Sequence, residues 1–326
     1  MSRSLWAAAD LVTPMAIRVA ATLRLADHIA AGTRTAGALA DAVGADPDAL
    51  DRLMGHLVTA DVLSRPADGA YGLTELGEQL RDDHPDGTRP WLDLDGSIGR
   101  ADLCFVELLH TVRTGEPAFP RRFGTGYWDD LAADPRREAS FDALMSARLT
   151  GTATEVAHAY PWGALGHVVD VGGGDGSLLI AILRAHDGLR GTVIDLAGPA
   201  GRAERAIAEA GLDHRADARV GSFFDPLPAG AGGYVLSGVL HDWDDAHALR
   251  ILRRCAEAAG STGKVLVVDH VSDTPDTEGD LRMLCYVRGR ERNLARLGDL
   301  AAATGLRLGA VTNQQSRAVI ELNPAH

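Results

Sequence analysis

A glycine-rich stretch, Asp170-Val-Gly-Gly-Gly-Asp-Gly176, has the residue types and spacing to bind a nucleotide. The apolar residues before it predict a buried strand, and the aliphatic residues after it predict a helix. A tight turn between the two needs glycine, because glycine accepts the required dihedrals and lets a ligand approach the backbone closely. The stretch therefore predicts the first strand, turn and helix of a nucleotide-binding βαβ unit.

The glycine spacing and its acidic neighbours favour a cationic ligand over a dinucleotide. Gly172, Gly174 and Gly176 follow a G-x-G-x-G pattern, whereas dinucleotide sites use G-x-G-x-x-G. Asp170 lies just before the turn, where it would repel a pyrophosphate but attract an ammonium or sulfonium group. Asp195 ends the next predicted strand, at the position where a carboxylate accepts hydrogen bonds from ribose hydroxyls. The combination predicts a site for S-adenosyl-L-methionine rather than for NAD.

A second stretch, Leu240-His-Asp-Trp-Asp-Asp245, contains a candidate base. It follows a predicted strand, and residues beyond the carboxyl ends of parallel strands line the ligand crevice. His241 can accept a proton near neutral pH, since the unperturbed pKa of histidine is about 6.5. The aspartates of this stretch are also good helix N-caps, so a capping turn with an incidental histidine is the alternative interpretation.

Charge and cysteine usage restrict the class of partner. The formal net charge of −13 argues against nucleic acid, because phosphate binding needs a basic surface. The three cysteines have no paired spacing, so we expect no disulfide framework and no metal site, as in a reducing cytoplasm. Asp10 and Arg18 interrupt the apolar N-terminal run, which predicts neither a signal peptide nor a membrane span. We therefore expect a cytoplasmic enzyme without a membrane partner.

The elements that position both stretches alternate between strand and helix from Trp162 onwards. This alternation predicts an α/β fold with a doubly wound, Rossmann-like parallel sheet covered on both faces. The last two predicted strands follow one another directly, which indicates an antiparallel addition at one edge. The predicted strands are 167–171, 191–195, 218–221, 233–240, 264–269, 306–311 and 318–322.

The N-terminal part has the pattern of a winged helix. Residues 4–31 are predicted to be helical, with Pro14 as a kink or helix start, followed by helices over 35–43 and 47–59 and a hairpin over 62–74. A winged helix usually reads DNA through its second helix, but here that helix is acidic to neutral. The pattern therefore predicts an α-helical dimerisation domain, with a winged-helix ligand-binding regulator as the alternative.

We divide the chain into three parts: a winged-helix-like dimerisation domain over 1–95, a helical connector over 96–160, and a nucleotide-binding domain over 161–326. Phe141 and Met145 recur on one face of a predicted connector helix. This face is either plain core or an apolar wall for a flat substrate. Arg148 would then be a partner for a substrate anion.

The two stretches described above resemble the family of S-adenosylmethionine-dependent O-methyltransferases, which includes plant enzymes of the caffeic-acid type and bacterial enzymes of antibiotic biosynthesis. The segments Gly221-Ser-Phe-Phe-Asp-Pro-Leu-Pro228 and 280–293 share the likeness. It runs nearly end to end and includes the dimerisation domain. Segments especially similar to the actinobacterial naphthoate O-methyltransferases of enediyne biosynthesis are 19–32, 71–84 and 221–245.

The resemblance implies methyl transfer to a phenolic hydroxyl of a hydroxynaphthoic-acid-like polyketide, in a homodimer formed by the N-terminal domain. S-adenosyl-L-methionine would be the donor, S-adenosyl-L-homocysteine the product, and no metal would take part. His241 falls on the family's catalytic base, and Asp269 and Glu291 on its supporting carboxylates. A carboxylate of this kind holds the imidazole in its useful tautomer and stabilises the imidazolium.

The resemblance also implies the remaining site residues. The cofactor would contact Asp170, Gly172, Gly174, Asp195, Ser222, Phe223, Ser237 and Trp243. The acceptor would contact Met145, Arg148, Asp242 and Met283.

Three positions depart from the family pattern. Ser222 replaces an acidic residue, Ser237 replaces the lysine of the plant enzymes, and Arg288-Gly-Arg290 stands where Gly-Gly-Lys is more usual. These departures put the adenine contact and the identity of the acceptor in question. Because some members of the fold bind S-adenosylmethionine without transferring a methyl group, the alternative function is hydroxylation, decarboxylation or cyclisation.

Overall fold

The computed structural model describes residues 4–270, 276–313 and 317–325, with the backbone alone for 149–151 and 313. The chain divides into two compact units, one formed by Met1–Leu103 and Ala133–Leu144 and the other by Cys104–Ala132 and Met145–His326. The domain boundaries predicted at residues 95 and 160 stay predictions.

The first unit is helical with one small hairpin. Its helices α4 and α5 begin at the N-caps Thr35 and Asp46, whose side chains accept hydrogen bonds from the backbone, as N-cap residues do. The hairpin pairs Leu63 with Leu73 in antiparallel fashion, which completes the predicted winged-helix pattern. The elements are α1 Leu5–Ala8, α2 Val12–Thr22, α3 Leu25–Ala30, α4 Ala36–Val43, α5 Pro47–Thr59, β1 Leu63–Ser64, β2 Gly72–Leu73, α6 Glu75–Glu78, α7 Arg89–Leu92 and α8 Ser97–Asp102.

The segment 4–31 is helical as predicted, but the chain forms three helices there. The Asp10 carboxylate accepts hydrogen bonds from the N–H groups of Val12 (2.9 Å) and Thr13 (3.0 Å), so a new helix begins. The predicted kink or helix start at Pro14 lies in the first turn of this helix, α2. Arg24 then adopts a left-handed conformation with φ 54°, which ends α2 and redirects the chain into α3. The sequence pattern did not reveal this second break.

The second unit is an α/β layer structure. Its helices are α9 Leu108–Thr114, α10 Ala118–Phe123, α11 Tyr127–Ala132, α12 Pro135–Ala159 (whose first residues belong to the first unit), α13 Ser177–Ala185, α14 Ala197–Glu209, α15 Asp245–Ala259, α16 Thr277–Val287 and α17 Leu294–Ala302, with 3₁₀ turns at Leu103–Glu107, Trp162–Leu165 and Leu240–Asp242. Its strands are β3 His167–Val171, β4 Arg190–Asp195, β5 Ala216–Val220, β6 Gly233–Ser237, β7 Lys264–Asp269, β8 Leu306–Asn313 and β9 Ala318–Pro324.

The sheet has the order β5-β4-β3-β6-β7-β9-β8. The pairs among its first five strands are parallel, and β9 pairs antiparallel with both β7 and β8. The doubly wound α/β prediction and its antiparallel edge are therefore confirmed. The strand order reverses at β3, and a ligand crevice lies outside the carboxyl ends of the strands at such a switch point.

The strand predicted over 233–240 is too long. β6 ends at Ser237 because Gly238 takes a φ of +63° and turns the chain out of the sheet. The Leu240–Asp242 3₁₀ turn that follows places His241 at the carboxyl edge of the sheet. Among the described helices, none combines the length and hydropathy that a bilayer span requires.

Candidate active site

The glycine turn after β3 has a backbone that only glycine accommodates easily. Gly172, Gly174 and Gly176 have φ values of +74°, +60° and +79°. A Cβ atom at Gly172 would also lie 2.9 Å from Cγ2 of Val239. The turn therefore stays open beside the carboxyl edge of the sheet, as a nucleotide site requires.

Asp195, at the end of β4, folds against this turn. Its Oδ2 accepts a hydrogen bond of 2.8 Å from the Gly174 N–H, and its Oδ1 accepts one of 2.7 Å from the N–H of Leu196. Burial raises the pKa of Asp195, whereas the two N–H donors act to lower it. The structure thus brings together the two acidic strand ends that the sequence singled out.

The buried carboxyl group of Asp170 shows which kind of ligand the glycine turn fits. The residue is 1% exposed, and within the described part of the chain neither carboxylate oxygen has a hydrogen-bond partner. Burial, with further repulsion from Asp195 and Asp175, raises its pKa to about 7. A buried carboxyl group without a partner is costly, so the residues present fit a ligand that offers an ammonium or another donor here.

The aromatic residues predicted to contact the cofactor gather on one side of the turn. The Phe223 ring lies 3.4 Å from the position of a Cβ at Gly172, and its centroid is 5.7 Å from that of Trp243. The Ser222 hydroxyl accepts a hydrogen bond of 3.2 Å from the N–H of Phe224. Ser237, at the end of β6, accepts a long hydrogen bond of 3.4 Å from Arg317.

Three carboxylates surround the imidazole of His241. Nδ1 lies 3.3 Å from Oδ2 of Asp269, which ends β7, and 4.0 Å from Oε1 of Glu291, which follows α16. Nε2 lies 3.5 Å from Oδ1 of Asp242. The predicted base and its two predicted carboxylates therefore meet at the same edge of the sheet as the glycine turn.

The carboxylates change how the imidazole titrates. Burial acts to lower the pKa of His241, but Asp269, Asp242 and Glu291 outweigh it and raise the pKa to about 9. Burial likewise acts to raise the pKa of Asp269, yet His241 and Arg317 bring it down to about 2. The pKa of Asp242 is raised to about 6 by burial, with His241 opposing. The facing carboxylates therefore favour the protonated form of the imidazole at neutral pH.

We expect the substitution Asp269→Asn to lower the pKa of His241 and shift the pH dependence of activity to the acid side. A base acts when neutral, so kcat/KM of the wild type should rise with pH up to about 9. Loss of one facing carboxylate removes part of what holds the proton on the ring. The measurement is kcat/KM against pH, with Asp217→Asn on β5 as control. An unchanged midpoint in Asp269→Asn would contradict this assignment.

The residues His241, Asp269 and Glu291 also form the one metal-compatible set found among the described residues, with ligand atoms within 4.8 Å of one another. An imidazolium in this set already forms an ion pair with Asp269, at 3.3 Å from Nδ1. We therefore assign the set to proton transfer rather than to a metal.

The acceptor-side residues come from two helices. Met145 and Arg148 lie in α12, where Met145 is half-buried and Arg148 is exposed, and the half-buried Met283 lies in α16. The charge of Arg148 acts on the titration of His270 and Arg317. Arg288 ends α16 in a left-handed conformation.

Two arginines at the site were not predicted from the sequence. Arg292 donates hydrogen bonds of 2.6 Å to the carbonyl oxygens of Leu240 and Trp243, and thereby holds the chain on both sides of the base. Arg317, just before β9, is buried beside Ser237. The arginine-rich run 288–292 was a signal for Arg292, since the aspartates of the stretch 240–245 could attract it. No local pattern pointed to Arg317.

The fold and the site define an S-adenosylmethionine-type methyltransferase domain joined to a winged-helix domain, and comparison with known proteins agrees. The family model of the O-methyltransferase domain matches residues 105–307, and that of the O-methyltransferase dimerisation domain matches residues 6–82. The chain belongs to the O-methyltransferase family. The resemblance seen in the sequence is thus confirmed.

Individual relatives narrow the comparison. The chain is 59% identical over 318 residues to the 2,7-dihydroxy-5-methyl-1-naphthoate 7-O-methyltransferase of Streptomyces carzinostaticus, covering 97% of this chain and 96% of the relative. It is 46% identical to the aclacinomycin 10-hydroxylase RdmB of Streptomyces purpurascens, covering 92% and 83%. The crystal structure of NcsB1, an O-methyltransferase from neocarzinostatin biosynthesis in complex with S-adenosyl-L-homocysteine and 1,4-dihydroxy-2-naphthoic acid, matches with a TM-score of 0.97, 58% identity and 99% coverage of both chains.

Proposed function

We propose that this chain transfers a methyl group from S-adenosyl-L-methionine to a phenolic hydroxyl of a hydroxynaphthoic-acid-like molecule in natural-product biosynthesis. The observation that carries the proposal is the placement of His241, between carboxylates on both ring nitrogens, at the sheet edge that also holds the glycine turn. The likeness to a naphthoate 7-O-methyltransferase supports the acceptor class.

The methyl donor is S-adenosyl-L-methionine, which supplies an electrophilic sulfonium methyl group when bound and leaves as S-adenosyl-L-homocysteine. Gly172 and Gly174 would let it approach the backbone, and Asp195 would accept hydrogen bonds from its ribose hydroxyls. The carboxyl of Asp170, which has no partner among the described residues, would bind its cationic end. Phe223 and Trp243 would contact the adenine, and Ser222 and Ser237 would supply further polar contacts.

The proton is handled by the imidazole of His241. Because Nδ1 faces Asp269 and Glu291, Nε2 is the atom that accepts the phenolic proton. The two carboxylates hold the ring in that tautomer and stabilise the imidazolium that forms. Asp242, beside Nε2, contacts the acceptor hydroxyl. Met145 and Met283 flank the aromatic ring, and Arg148 attracts the acceptor's anionic group.

Mass spectrometry of reactions with S-adenosyl-L-methionine and 1,4-dihydroxy-2-naphthoic acid tests this function. We expect a product heavier by one methyl group, together with S-adenosyl-L-homocysteine. The relative RdmB is a hydroxylase, so a gain of one oxygen would instead favour the alternative chemistry. Loss of carbon dioxide with the donor intact would do the same. The variant His241→Ala serves as the negative control.

We also propose a homodimer formed through the N-terminal unit, in keeping with its match to a dimerisation domain. The first helices leave large apolar side chains exposed, with Leu5, Trp6 and Leu11 at 86%, 87% and 70% exposure. Large apolar side chains exposed so close together in the chain favour a protein interface. A cytoplasmic location stays a prediction.

We expect the double substitution Trp6→Asp with Leu11→Asp to convert a dimer into monomers, because each change places a charge in a desolvated interface. Sedimentation velocity measures the mass. The matched control is Leu76→Asp, since Leu76 is an exposed leucine of the same unit at 47%. If the double variant is still a dimer, the interface must lie on another surface.

A further inference from the structure

Arg317 is a buried cation to which the proposed methyl transfer assigns no role. It lies at the start of β9 and is 8% exposed. Among the residues that the structure describes, no carboxylate lies within ion-pair distance of its guanidinium, and its one side-chain hydrogen bond, to the Ser237 hydroxyl, is long at 3.4 Å. A guanidinium has five N–H donors, and within the described part of the chain the bond to Ser237 is the side-chain hydrogen bond that Arg317 makes.

The guanidinium of Arg317 lies close to the imidazole of His241, at the edge of the active site. A Cβ atom at Gly238 would lie 3.3 Å from Nη1 of Arg317 and 3.7 Å from Cε1 of His241. The side chains of Arg317 and His241 therefore flank Gly238, whose missing side chain leaves room for both. The register that pairs Asp269 with Ala318 holds Arg317 at the end of β7.

The nearby carboxylates do not neutralise this charge at close range. Asp269 lies 3.3 Å from the imidazole of His241, which is its ion-pair partner, and Glu291 also faces that ring. Burial lowers the pKa of Arg317, Asp269 acts to raise it, and the positive charge of Arg148 lowers it further. A buried charge without a close partner is unfavourable, so the described surroundings of Arg317 fit an anionic ligand.

We propose that Arg317 binds a carboxylate of the ligands in the loaded active site. The proposal rests on the proposed function, which brings two carboxylates to this edge of the sheet: that of the aromatic acid and that of the methionine part of S-adenosyl-L-methionine. A guanidinium binds a carboxylate through two parallel hydrogen bonds. In a 7-hydroxy-1-naphthoate the carboxylate and the reacting hydroxyl lie on either side of ring position 8, so an acid held by Arg317 also offers its hydroxyl to His241.

The test compares Arg317→Met with the wild type in three measurements. These are kcat/KM for 1,4-dihydroxy-2-naphthoic acid, kcat/KM for its methyl ester, and the calorimetric Kd for S-adenosyl-L-methionine without acceptor. The matched control is Arg307→Met, an exposed arginine on β8. Arg317→Lys keeps the positive charge and should recover part of any loss.

Each source of the carboxylate has its own signature. If the acid is bound, kcat/KM for the acid falls about 10- to 100-fold, as for loss of a hydrogen bond to a charged group, while the ester and the donor Kd are unaffected. If the donor is bound, its Kd rises by the same factor and kcat/KM falls alike for acid and ester. Wild-type values for the acid-to-ester ratio and for the donor Kd would overturn the proposal.

A second measurement applies if Arg317→Met does not fold. The affinity of the wild type is then compared for the acid and its ester, and for S-adenosyl-L-methionine and its decarboxylated form. The same pairs are measured in Arg148→Met. Equal affinity within both pairs would overturn the proposal, and a preference for the carboxylate in one pair that persists in Arg148→Met would support it. Failure of the proposed function is a separate result, since the wild type would then methylate neither acid nor ester.

Discussion

Replacement of His241 by alanine is expected to lower kcat by about 10²–10⁴-fold, the usual contribution of a positioned general base. The expectation follows from the site, where Asp269 and Glu291 face Nδ1 and leave Nε2 for the acceptor. The Kd for S-adenosyl-L-methionine should change little, because the groups assigned to the donor are the backbone of the glycine turn after β3 and the carboxylate that ends β4, not the imidazole of His241.

Steady-state kinetics and calorimetry together measure this effect. The control is His214→Ala, an exposed histidine of the same unit. A high pH should partly recover the activity of His241→Ala, since a phenol ionised in solution needs no base. An unchanged kcat at neutral pH would exclude His241 as the base.

Replacement of Asp195 by alanine is expected to raise the Kd for S-adenosyl-L-methionine by about 10²–10⁴-fold. Two charge-assisted hydrogen bonds to the ribose, at ~1.5–3 kcal/mol each, account for a change of this size. The substitution also removes the acceptor of the Gly174 N–H, which loosens the turn itself. The effect on affinity should therefore exceed the effect on kcat at saturating donor.

Isothermal titration calorimetry measures the change directly. Asp195→Asn keeps one oxygen acceptor and should fall between the wild type and the alanine variant. Asp213→Ala, an exposed aspartate in the turn after α14, is the matched control. Wild-type affinity in Asp195→Ala would place the ribose elsewhere.

The sequence predicted those parts of the fold and site that depend on short segments. The glycine turn could be recognised because its conformation needs glycine at particular positions, whatever surrounds it. The alternation of strand and helix predicted the doubly wound sheet, because each strand and helix can also be recognised from a short segment. Asp269 and Glu291 had no local signal, and only the resemblance to the family attached them to His241.

Errors arose where one residue ended an element that the hydrophobic pattern would have continued. Asp10 and Arg24 divide the N-terminal segment into separate helices. Gly238 ends β6 three residues earlier than the apolar run indicated. Periodicity reports which face is buried, whereas a cap or a positive φ decides where the element ends.

The sequence alone predicted the methyl-donor type of the glycine turn, because the glycine spacing and the acidic ends of two successive predicted strands can be read from it. It also offered His241 as a candidate base, with a capping turn as the alternative. Only the tertiary structure decided what surrounds that base. The structure places Asp269 and Glu291 against one nitrogen, Asp242 against the other and Arg317 beside the ring. These groups come from separate strands and loops of the same sheet edge. The pKa of His241 and the surroundings of Arg317 depend on distances between these groups that no local pattern encodes.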